Sequence, residues 1–403
     1  MKKKKTWMKP RHKVVTALLR LVMRPYIKWR YGIALEEFKD EGDRQYLIIM
    51  NHQTGFDQFF VGMCFKQPVY YIATEDIFSL GWISRLLTWL VAPIPIKKQT
   101  TDLQAVKTCA KVAKEGGTIA LAPEGNRTYS GETAYIKPSI IKLIRVLRLP
   151  VAVLRLEGGY GIQPRWSDVV RRGHMRAYVS RVIEVEEYKA LSDEELVDLV
   201  QKELYVNEAC ADAEFHHPKR AEYLERVVYV CPYCGLSEFE SNNEVVKCKT
   251  CGGEIEYTPT KELKGRGFEF PFRFVLEWYD YQNRFVRNLD PEQHMKTPMF
   301  LDRVAVSEVI LYKRKQKMWD MVELLLYGDR IAIREPGKAD MPFYFDDIKV
   351  ITVLGKNKLN FYYGDKVYQL KGNRRFNALK YVNIFFHYKN TKEGNKDGEF
   401  LGI

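Results

Sequence analysis

The chain is best understood from residues 46–57, whose sequence is Tyr-Leu-Ile-Ile-Met-Asn-His-Gln-Thr-Gly-Phe-Asp. The first five residues are apolar and predict a short buried strand. His52 follows this strand, and Asp57 lies five residues further on. An imidazole with a carboxylate in reach is what a general base requires, so the stretch predicts a histidine base at a strand end.

A second stretch of the same kind occupies residues 118–128. Residues 118–122 are apolar and predict another buried strand, and the sequence Pro-Glu-Gly-Asn-Arg-Thr follows them. Gly125 admits close backbone approach, and Arg127 can hold an anion with two parallel hydrogen bonds. A general base beside an arginine that can bind an anion indicates chemistry on a phosphorylated substrate.

In their order and spacing these motifs resemble the glycerolipid acyltransferase family, specifically the 1-acylglycerol-3-phosphate acyltransferases. The N-H-x-x-x-x-D block of that family is matched by Asn51, His52 and Asp57. The family's P-E-G-x-R block, followed by Ser or Thr, is matched by Pro123, Glu124, Gly125, Arg127 and Thr128, and its apolar fourth block falls at residues 149–153. The resemblance covers about residues 10–190.

The resemblance implies transfer of a fatty acyl group from a thioester donor, acyl-CoA or acyl carrier protein, to the hydroxyl of a lysophospholipid. The first acceptor to expect is 1-acylglycerol-3-phosphate, which would give phosphatidic acid. The implied catalytic residues are His52 and Asp57, and the implied substrate-binding residues are Glu124, Gly125, Arg127, Thr128, Lys97 and Lys98. Another glycerolipid or glycolipid acceptor, or a non-catalytic membrane scaffold, is the alternative.

Two departures from the family pattern concern the acceptor. The family's second block usually ends in an arginine, where this chain has Lys97 and Lys98. Lysine is a point charge rather than a planar fork, so it holds a phosphate with looser geometry. Pro138 stands where the family commonly has glycine. Both differences bear on the identity of the acceptor more than on the reaction class.

Up to about residue 225, short apolar runs alternate with amphipathic stretches. The predicted strands are residues 46–50, 69–73, 118–122, 150–155 and 176–183, and the predicted helices are residues 101–115 and 139–147. Ser192 and Glu195 form the pattern of a capping box, which predicts a helix that runs to about Cys210. This alternation predicts an α/β fold with a largely parallel sheet flanked by helices.

The first 35 residues contain eleven Lys or Arg and no Asp or Glu, which is most of the excess in a net charge of +13. Apolar residues recur among them at helical spacing: Val14, Val15, Leu18, Leu19 and Val22, with Trp7 and Trp29 on either side. The pattern is typical of a helix in the interface of an anionic membrane. The alternative is that the apolar stripe packs on the domain and only the lysine tail is solvated.

Residues 80–96 form a second apolar segment, which contains Arg85, Trp82 and Trp89. They predict either a segment that dips into the membrane interface or a buried helix that leads into a strand. No run of eighteen residues is free of charge, so a spanning helix is not predicted. Because the N-terminus also lacks the features of a secretory signal, we expect a peripheral or monotopic protein on the cytoplasmic face of the membrane.

Four of the seven cysteines form two C-x-x-C pairs separated by thirteen residues: Cys231, Cys234, Cys248 and Cys251. This spacing predicts a structural zinc ion held by four thiolates, and Gly235 and Gly252 after each pair allow the tight turns of such a site. A redox motif or disulfide is the alternative for Cys231 and Cys234. Cys64, Cys109 and Cys210 are isolated and predicted to be buried thiols.

The C-terminal part changes in character. Residues 268–285 are rich in aromatics and predict a helix, and residues 321–372 predict short strands separated by four glycine-containing turns. Residues 374–388 have helical apolar spacing. A strand meander closed by one helix resembles a pleckstrin-homology or GRAM-type domain, which suggests a further contact with lipid headgroups or a partner protein.

The predicted organisation has five parts. These are a basic amphipathic membrane-interface segment (1–35), an acyltransferase domain (36–225), a four-cysteine zinc ribbon (226–258), an aromatic-rich connector (259–300) and a PH/GRAM-like α+β domain (301–403). Nucleic acid is not a predicted partner, because the ribbon is not strongly basic and no aromatic–basic stacking platform is evident.

Overall fold

A computed structural model describes residues 6–74, 77–78, 81–96, 102–209, 213–310, 315–395, 398 and 400. The chain divides into two units. The first comprises the residues up to Arg165 and from Val170 to His216, and the second comprises Trp166–Val169 and the residues from His217 onward.

The first unit has the predicted alternation of strands and helices. Its strands are β1 Ile33–Leu35, β2 Leu47–Met50, β3 Val69–Thr74, β4 Ile94–Ile96, β5 Thr118–Leu121, β6 Val151–Glu157 and β7 Met175–Ile183. Its helices are α1 Pro10–Tyr31, α2 Asp57–Cys64, α3 Trp82–Val91, α4 Leu103–Lys114, α5 Ser139–Leu147, α6 Gly159–Ile162, α7 Val185–Lys189 and α8 Asp193–Leu204.

These strands form one seven-stranded sheet in the order β1-β7-β6-β2-β5-β3-β4. Strands β2 to β6 are parallel to one another, β7 is antiparallel to β6, and β1 is parallel to β7. The predicted largely parallel α/β sheet is therefore confirmed.

Strand β2 lies near the middle of the sheet, and its side chains are buried on both faces. Leu47 and Ile49 join the core beneath α4, α5 and α8, whereas Ile48 and Met50 join the core beneath α1 and α2. A strand covered by helices on both faces is apolar throughout rather than alternating, which is why the pattern predicted it from a continuous run.

Helix α8 begins as the sequence predicts but ends earlier than predicted. The capping box is present, since Ser192 Oγ accepts from Glu195 N and Glu195 Oε2 accepts from Ser192 N. The helix that it opens ends at Leu204, not near Cys210, because the backbone of Tyr205 is extended. Cys210 itself lies outside the described residues.

Helices α1 and α3 are amphipathic, and each leaves a large apolar surface exposed. On α1, Val14, Leu18 and Val22 are exposed, whereas Val15 and Leu19 are half-buried, so only part of the predicted stripe packs on the domain. Helix α3 leads into β4 as predicted, but only Ser84 of its residues is buried, so it is not the buried helix of the other alternative. None of the helices in the described part of the chain has the length and hydropathy that a membrane crossing requires.

The second unit begins with small antiparallel sheets. Strands β8 Val230–Cys231 and β9 Gly235–Leu236 form a hairpin, and β10 Phe239–Asn242, β11 Val245–Cys248, β12 Glu254–Tyr257 and β13 Leu263–Gly265 form a four-stranded sheet. Helix α9, Val275–Arg287, packs on the hairpin: Trp278 Nε1 donates to Val230 O at 2.8 Å.

The helix predicted over residues 268–285 begins only at Val275. Its start is delayed because Pro271 has no backbone N–H to donate and the backbone of Phe274 is extended.

A larger antiparallel sheet completes the second unit. Its strands are β14 Phe300–Glu308, β15 Gln316–Leu326, β16 Arg330–Arg334, β17 Met341–Tyr344, β18 Ile348–Leu354, β19 Lys358–Tyr363 and β20 Lys366–Gly372, followed by helix α10 Leu379–Lys392. The sheet order is β17-β16-β15-β14-β20-β19-β18. The four predicted turns separate successive strands here, whereas β14 and the start of β15 are strands that the sequence pattern does not predict. Helix α10 begins and ends later than the predicted residues 374–388.

Candidate active site

The two sequence motifs meet because the strands that precede them are neighbours. Strands β2 and β5 pair in parallel, with Leu47 beside Ile119, so their carboxyl ends lie at the same edge of the sheet. The loops that follow are joined directly, since the backbone N–H of His52 donates to Glu124 Oε1 at 2.7 Å. The sequence predicted both strand ends but not this bond.

Asn51 fixes the end of the central strand. Its side chain is fully buried and extends the pairing of β2 with β6, because Nδ2 donates to Leu156 O and Oδ1 accepts from Leu156 N, each at 2.8 Å. The amide therefore satisfies two buried backbone groups that would otherwise lack partners. His52 is thus attached to the sheet through the residue before it.

Asp57 is completely buried and receives five hydrogen bonds from the loop that it closes. Its Oδ2 accepts from His52 Nδ1 at 2.7 Å, from Gln53 N at 2.7 Å and from Thr54 N at 3.0 Å. Its Oδ1 accepts from Thr54 N at 2.9 Å and from Thr54 Oγ1 at 2.7 Å. These donors compensate the carboxylate for the loss of water.

The tautomer of His52 follows from this arrangement. A carboxylate surrounded by N–H donors acts only as an acceptor, so Nδ1 of the imidazole carries the proton. In the neutral ring Nε2 is then unprotonated and can accept a proton from a substrate. The side chain of His52 is 25% exposed, whereas that of Asp57 is 0% exposed. The imidazole is therefore partly exposed, whereas its carboxylate partner is buried.

Glu124 links the two motif loops rather than standing free for a ligand. Its Oε1 accepts from His52 N at 2.7 Å, and its Oε2 accepts from Ala134 N at 2.8 Å. Burial raises the pKa of Glu124 to about 8, although the two backbone donors oppose the rise and the charge of Asp57 adds to it. Both carboxyl oxygens are occupied by backbone N–H donors, so Glu124 acts as a link between the loops.

The other residues of the second motif shape the loop. Gly125 is exposed and has a φ of 72°, a conformation that L side chains rarely adopt, and its N–H donates to Ala122 O at 3.0 Å. Thr128 is buried, and its Oγ1 accepts from Gly131 N at 3.0 Å. The hydroxyl of Thr128 thus holds the loop that carries Arg127.

Arg127 lies close to the histidine loop. A Cβ added to Gly55 would stand 4.0 Å from Arg127 Nη1. Within the described ranges, no carboxylate oxygen is within 4.0 Å of this guanidinium. Burial lowers the pKa of Arg127 to about 10, with a further lowering from Arg165 and an opposing effect from Asp57. A partly buried cation without an ion-pair partner next to the base is suited to an anionic ligand.

Two residues beside Arg127 were not predicted from the sequence. The guanidinium of Arg165 donates from Nη1 to Arg127 O at 3.0 Å and stacks 4.2 Å from the centre of the Tyr129 ring. Arg165 is a single arginine far along the chain with no motif around it, so only the fold reveals its position. Lys97 and Lys98, predicted to assist at the acceptor, lie outside the described residues.

The four cysteines of the second unit are brought together. The Sγ atoms of Cys231, Cys234, Cys248 and Cys251 all lie within 4.8 Å of one another, and those of Cys231 and Cys251 are 3.9 Å apart. Four sulfurs about 2.3 Å from a tetrahedral zinc ion stand about 3.8 Å apart, so the cluster needs little contraction to fit. These four cysteines can hold a metal.

The backbone around the cluster also fits a metal site. Gly235 and Gly252 follow the two pairs with φ values of 74° and 75°, and Gly252 N donates to Cys248 O at 2.9 Å. Ser237 Oγ lies 3.2 Å from Cys248 Sγ, where it can donate to a thiolate. The alternative redox motif would open a helix, whereas Cys234 is followed by strand β9.

Comparison with known proteins shows what this part of the chain is similar to. Residues 34–156 match the model of the acyltransferase family. This stretch contains both motif loops, and the match supports the predicted resemblance to glycerolipid acyltransferases. The matched residues all lie in the first unit.

Three relatives illustrate the similarity. The chloroplastic 1-acyl-sn-glycerol-3-phosphate acyltransferase BAT2 of Brassica napus is 23% identical over 156 residues, which are 38% of this chain and 44% of that protein. The 1-acyl-sn-glycerol-3-phosphate acyltransferase of Bacillus subtilis is 20% identical over 154 residues, 38% of this chain and 74% of that protein. The crystal structure of the acyltransferase PlsC of Thermotoga maritima aligns with a TM-score of 0.40 at 19% identity, over 49% of this chain and 81% of that one.

The partly buried Glu124 should make stability depend on pH. Its pKa of about 8 in the folded chain lies above the ordinary value of 4.5, so the folded state binds a proton that the unfolded state releases between these values. This contribution is fully present below about pH 4.5 and is lost as the pH rises through about 8. We expect the free energy of unfolding of the wild type, relative to Glu124→Gln, to fall from pH 5 to pH 8 in urea titrations. A difference that stays constant over this range would contradict the assignment.

Proposed function

We propose that the chain is an O-acyltransferase that transfers a fatty acyl group from a thioester, acyl-CoA or acyl carrier protein, to the hydroxyl of 1-acylglycerol-3-phosphate, giving phosphatidic acid. The observation that carries the proposal is the 2.7 Å contact between His52 Nδ1 and the buried Asp57, with the guanidinium of Arg127 beside the same loop. A base and an anion site in one place are what a phosphorylated alcohol requires.

The first step is removal of a proton from the acceptor. Nε2 of His52 takes the hydroxyl proton as the oxygen attacks the thioester carbonyl, an effect commonly worth about 10²–10⁴-fold in rate. Asp57 keeps Nδ1 protonated and stabilises the imidazolium that forms. The tetrahedral intermediate then collapses, the carbon–sulfur bond breaks, and the imidazolium returns its proton to the departing thiolate. No covalent enzyme intermediate is needed.

Arg127 supplies the contact that holds the acceptor. Its guanidinium forms a planar fork that matches two phosphate oxygens, and no carboxylate in the described part of the chain competes for it. Holding the phosphate places the hydroxyl near Nε2 of His52 and removes much of the entropic cost of bringing the reactants together. Lys97 and Lys98 are further proposed contacts, on the basis of the family pattern alone.

Two alanine variants test this assignment. We expect His52→Ala to lower kcat at least about 100-fold with little change in acceptor KM, since it removes the base and leaves the anion site. Arg127→Ala should raise acceptor KM at least about tenfold, because it removes a charged contact to the phosphate. His174→Ala and Arg172→Ala, at exposed positions of the same unit, serve as matched controls.

The assay offers oleoyl-CoA and oleoyl acyl carrier protein to the purified chain with a panel of acceptors. The panel contains 1-acylglycerol-3-phosphate, glycerol-3-phosphate, a lyso-aminolipid and a lysoglycolipid. Turnover confined to one of the last three acceptors would overturn the acceptor assignment but not the reaction. Undiminished turnover in folded His52→Ala would overturn the enzymatic mechanism, and no turnover with any acceptor would favour the membrane scaffold.

We further propose that α1 and α3 bind the surface of an anionic membrane. Their exposed apolar side chains include Leu21 at 73%, Trp29 at 79% and Trp82 at 72% exposure. The two helices are neighbours, since Arg11 Nε donates to Trp89 O at 2.9 Å. The first helix also carries basic side chains, each of which contributes about 1 kcal/mol near an anionic leaflet.

Vesicle binding tests the membrane proposal. We expect the double variant Trp29→Ser/Trp82→Ser to bind vesicles of phosphatidylcholine and phosphatidic acid at least about tenfold more weakly, because two exposed indoles are lost from the interface. Leu103→Ser, at an exposed apolar position outside α1 and α3, is the matched control. Equal sedimentation of wild type and double variant with these vesicles would contradict the proposal.

For the second unit we propose a four-cysteine zinc ribbon. The cluster of Cys231, Cys234, Cys248 and Cys251 offers four thiolates and so leaves no position for a substrate, which makes the ion structural. Binding of a structural zinc ion is worth on the order of 10 kcal/mol, and a hairpin with a four-stranded sheet has little core of its own.

Metal analysis tests the ribbon. We expect one equivalent of zinc per chain by mass spectrometry of the metal, and less than about a tenth of that in Cys234→Ser/Cys251→Ser, because two thiolates cannot retain the ion. Cys109→Ser, whose thiol lies in the first unit, should keep a full equivalent. A wild-type chain that contains no zinc and has a disulfide between Cys231 and Cys234 would contradict the zinc site and support the redox alternative.

The last part of the second unit supports a PH/GRAM-like domain. Strands β14 to β17 pair in chain order, and so do β18 to β20. Strand β14 also pairs with β20, so the first and last strands are neighbours, β17 and β18 form the two edges, and α10 follows. We propose that this part provides a second contact with a lipid headgroup or a partner protein. An experimental structure with another strand order would contradict the fold assignment.

A further inference from the structure

Arg165 is a buried arginine that contacts the turn that carries Arg127. It is 1% exposed. Nη1 donates to Arg127 O at 3.0 Å, Nη2 lies 3.5 Å from Asn126 Oδ1, and the guanidinium lies 4.2 Å from the centre of the Tyr129 ring. A planar fork is needed to make these contacts together, which a lysine cannot do. Arg165 therefore holds both the backbone and one side chain of this turn.

The same contacts place a second positive charge beside Arg127. The guanidinium of Arg165 is bonded to the backbone carbonyl of Arg127, and its positive charge is one of the causes that lower the pKa of Arg127. The carboxylate of Asp57 raises the pKa of Arg127, but its oxygens already accept five hydrogen bonds. The effect of this positive charge is thus relieved best by an anion from outside the chain.

Tyr129 provides an independent sign of a ligand at this place. Its side chain is 3% exposed, yet its hydroxyl has no hydrogen-bond partner within the part of the chain that the structure describes. Leaving such a group buried and unpaired costs about 1–3 kcal/mol. Tyr129 also lies close enough to act on the pKa of Arg127. The phenol therefore belongs to the surroundings of the anion site.

We propose that Arg165 is a positioning residue that matches the Arg127 site to a dianionic phosphate monoester, in preference to a monoanionic phosphodiester or an uncharged headgroup. The inference rests on the proposed acyltransferase function and specifies its acceptor class. Arg165 acts in two ways: it fixes the turn so that Arg127 points at the acceptor, and its charge makes a second negative charge on the phosphate favourable.

The wild type provides the first test. The acceptors are 1-oleoylglycerol-3-phosphate and its phosphate methyl ester, which differ by one negative charge at pH 7.5. We expect the acceptor KM of the methyl ester to be at least about tenfold higher, with kcat similar. The second pKa of a phosphate monoester is about 6. The KM of the monoester should therefore rise several-fold relative to the methyl ester between pH 7.5 and pH 5.5.

Two variants assign the preference to Arg165. In Arg165→Gln we expect the KM of both acceptors to rise, that of the monoester at least about fivefold more than that of the methyl ester, while the KM of the thioester donor changes less than about threefold. Arg165→Lys keeps the charge but loses the fork, so it should recover part of the preference for the monoester. Circular dichroism and the donor KM show whether each variant is folded.

The outcomes separate this inference from the proposed function. Turnover of both acceptors by the wild type with equal KM values would overturn the inference and leave the acyltransferase proposal standing. A fall in kcat that is the same for both acceptors in Arg165→Gln would show a merely structural role and would also overturn it. Absence of turnover with either acceptor would remove the proposed function and this inference with it. If Arg165→Gln does not fold, the comparison of the two acceptors in the wild type and in Arg165→Lys still tests the inference.

Discussion

The candidate site depends on one buried carboxylate. Asp57 is fully removed from solvent, and a lone carboxylate in that position would cost several kcal/mol. The cost is offset only while Gln53, Thr54 and His52 all point their donors at it. The need to supply donors to the buried carboxylate therefore determines the conformation of the loop, the tautomer of the imidazole and the outward position of Nε2.

The rest of the site is built around that loop. Asn51 ties its first residue to Leu156 of the neighbouring strand, and Glu124 ties its backbone to the second motif. The second motif then carries Arg127 to the same edge of the sheet. The placement of His52 near Arg127 is thus a consequence of parallel pairing between β2 and β5, since neighbouring parallel strands end at the same edge.

The sequence predicted those features that arise from local patterns. Apolar runs gave the strands of the first sheet, because a strand buried on both faces is continuously apolar, and the spacing of His52 and Asp57 gave the dyad. The end of α8 and the helix over residues 268–274 were wrong, since their boundaries depend on backbone angles and tertiary contacts that propensity does not record. Strand β14 was missed for a similar reason: its pairing with β20 is distant in the chain.

Some site features had no signal in the sequence at all. Arg165 reaches the turn of Arg127 only because the chain returns to it after β6, and no motif surrounds it. The link from Glu124 to His52 likewise uses a backbone N–H as its donor. Every residue except proline has such a donor, so no residue pattern marks this bond. The exposure of α3 was also open, because its apolar pattern suits a buried helix and an interfacial helix equally.

The role of Asp57 is the central claim, and steady-state kinetics of Asp57→Asn test it most directly. The amide is nearly the same size but cannot hold Nδ1 protonated as a carboxylate does. Provided that the variant is folded by circular dichroism, kcat with 1-oleoylglycerol-3-phosphate should fall about 10²–10⁴-fold, with the acceptor KM within about threefold of the wild type. A folded Asp57→Asn variant that retains a kcat close to that of the wild type would contradict the account.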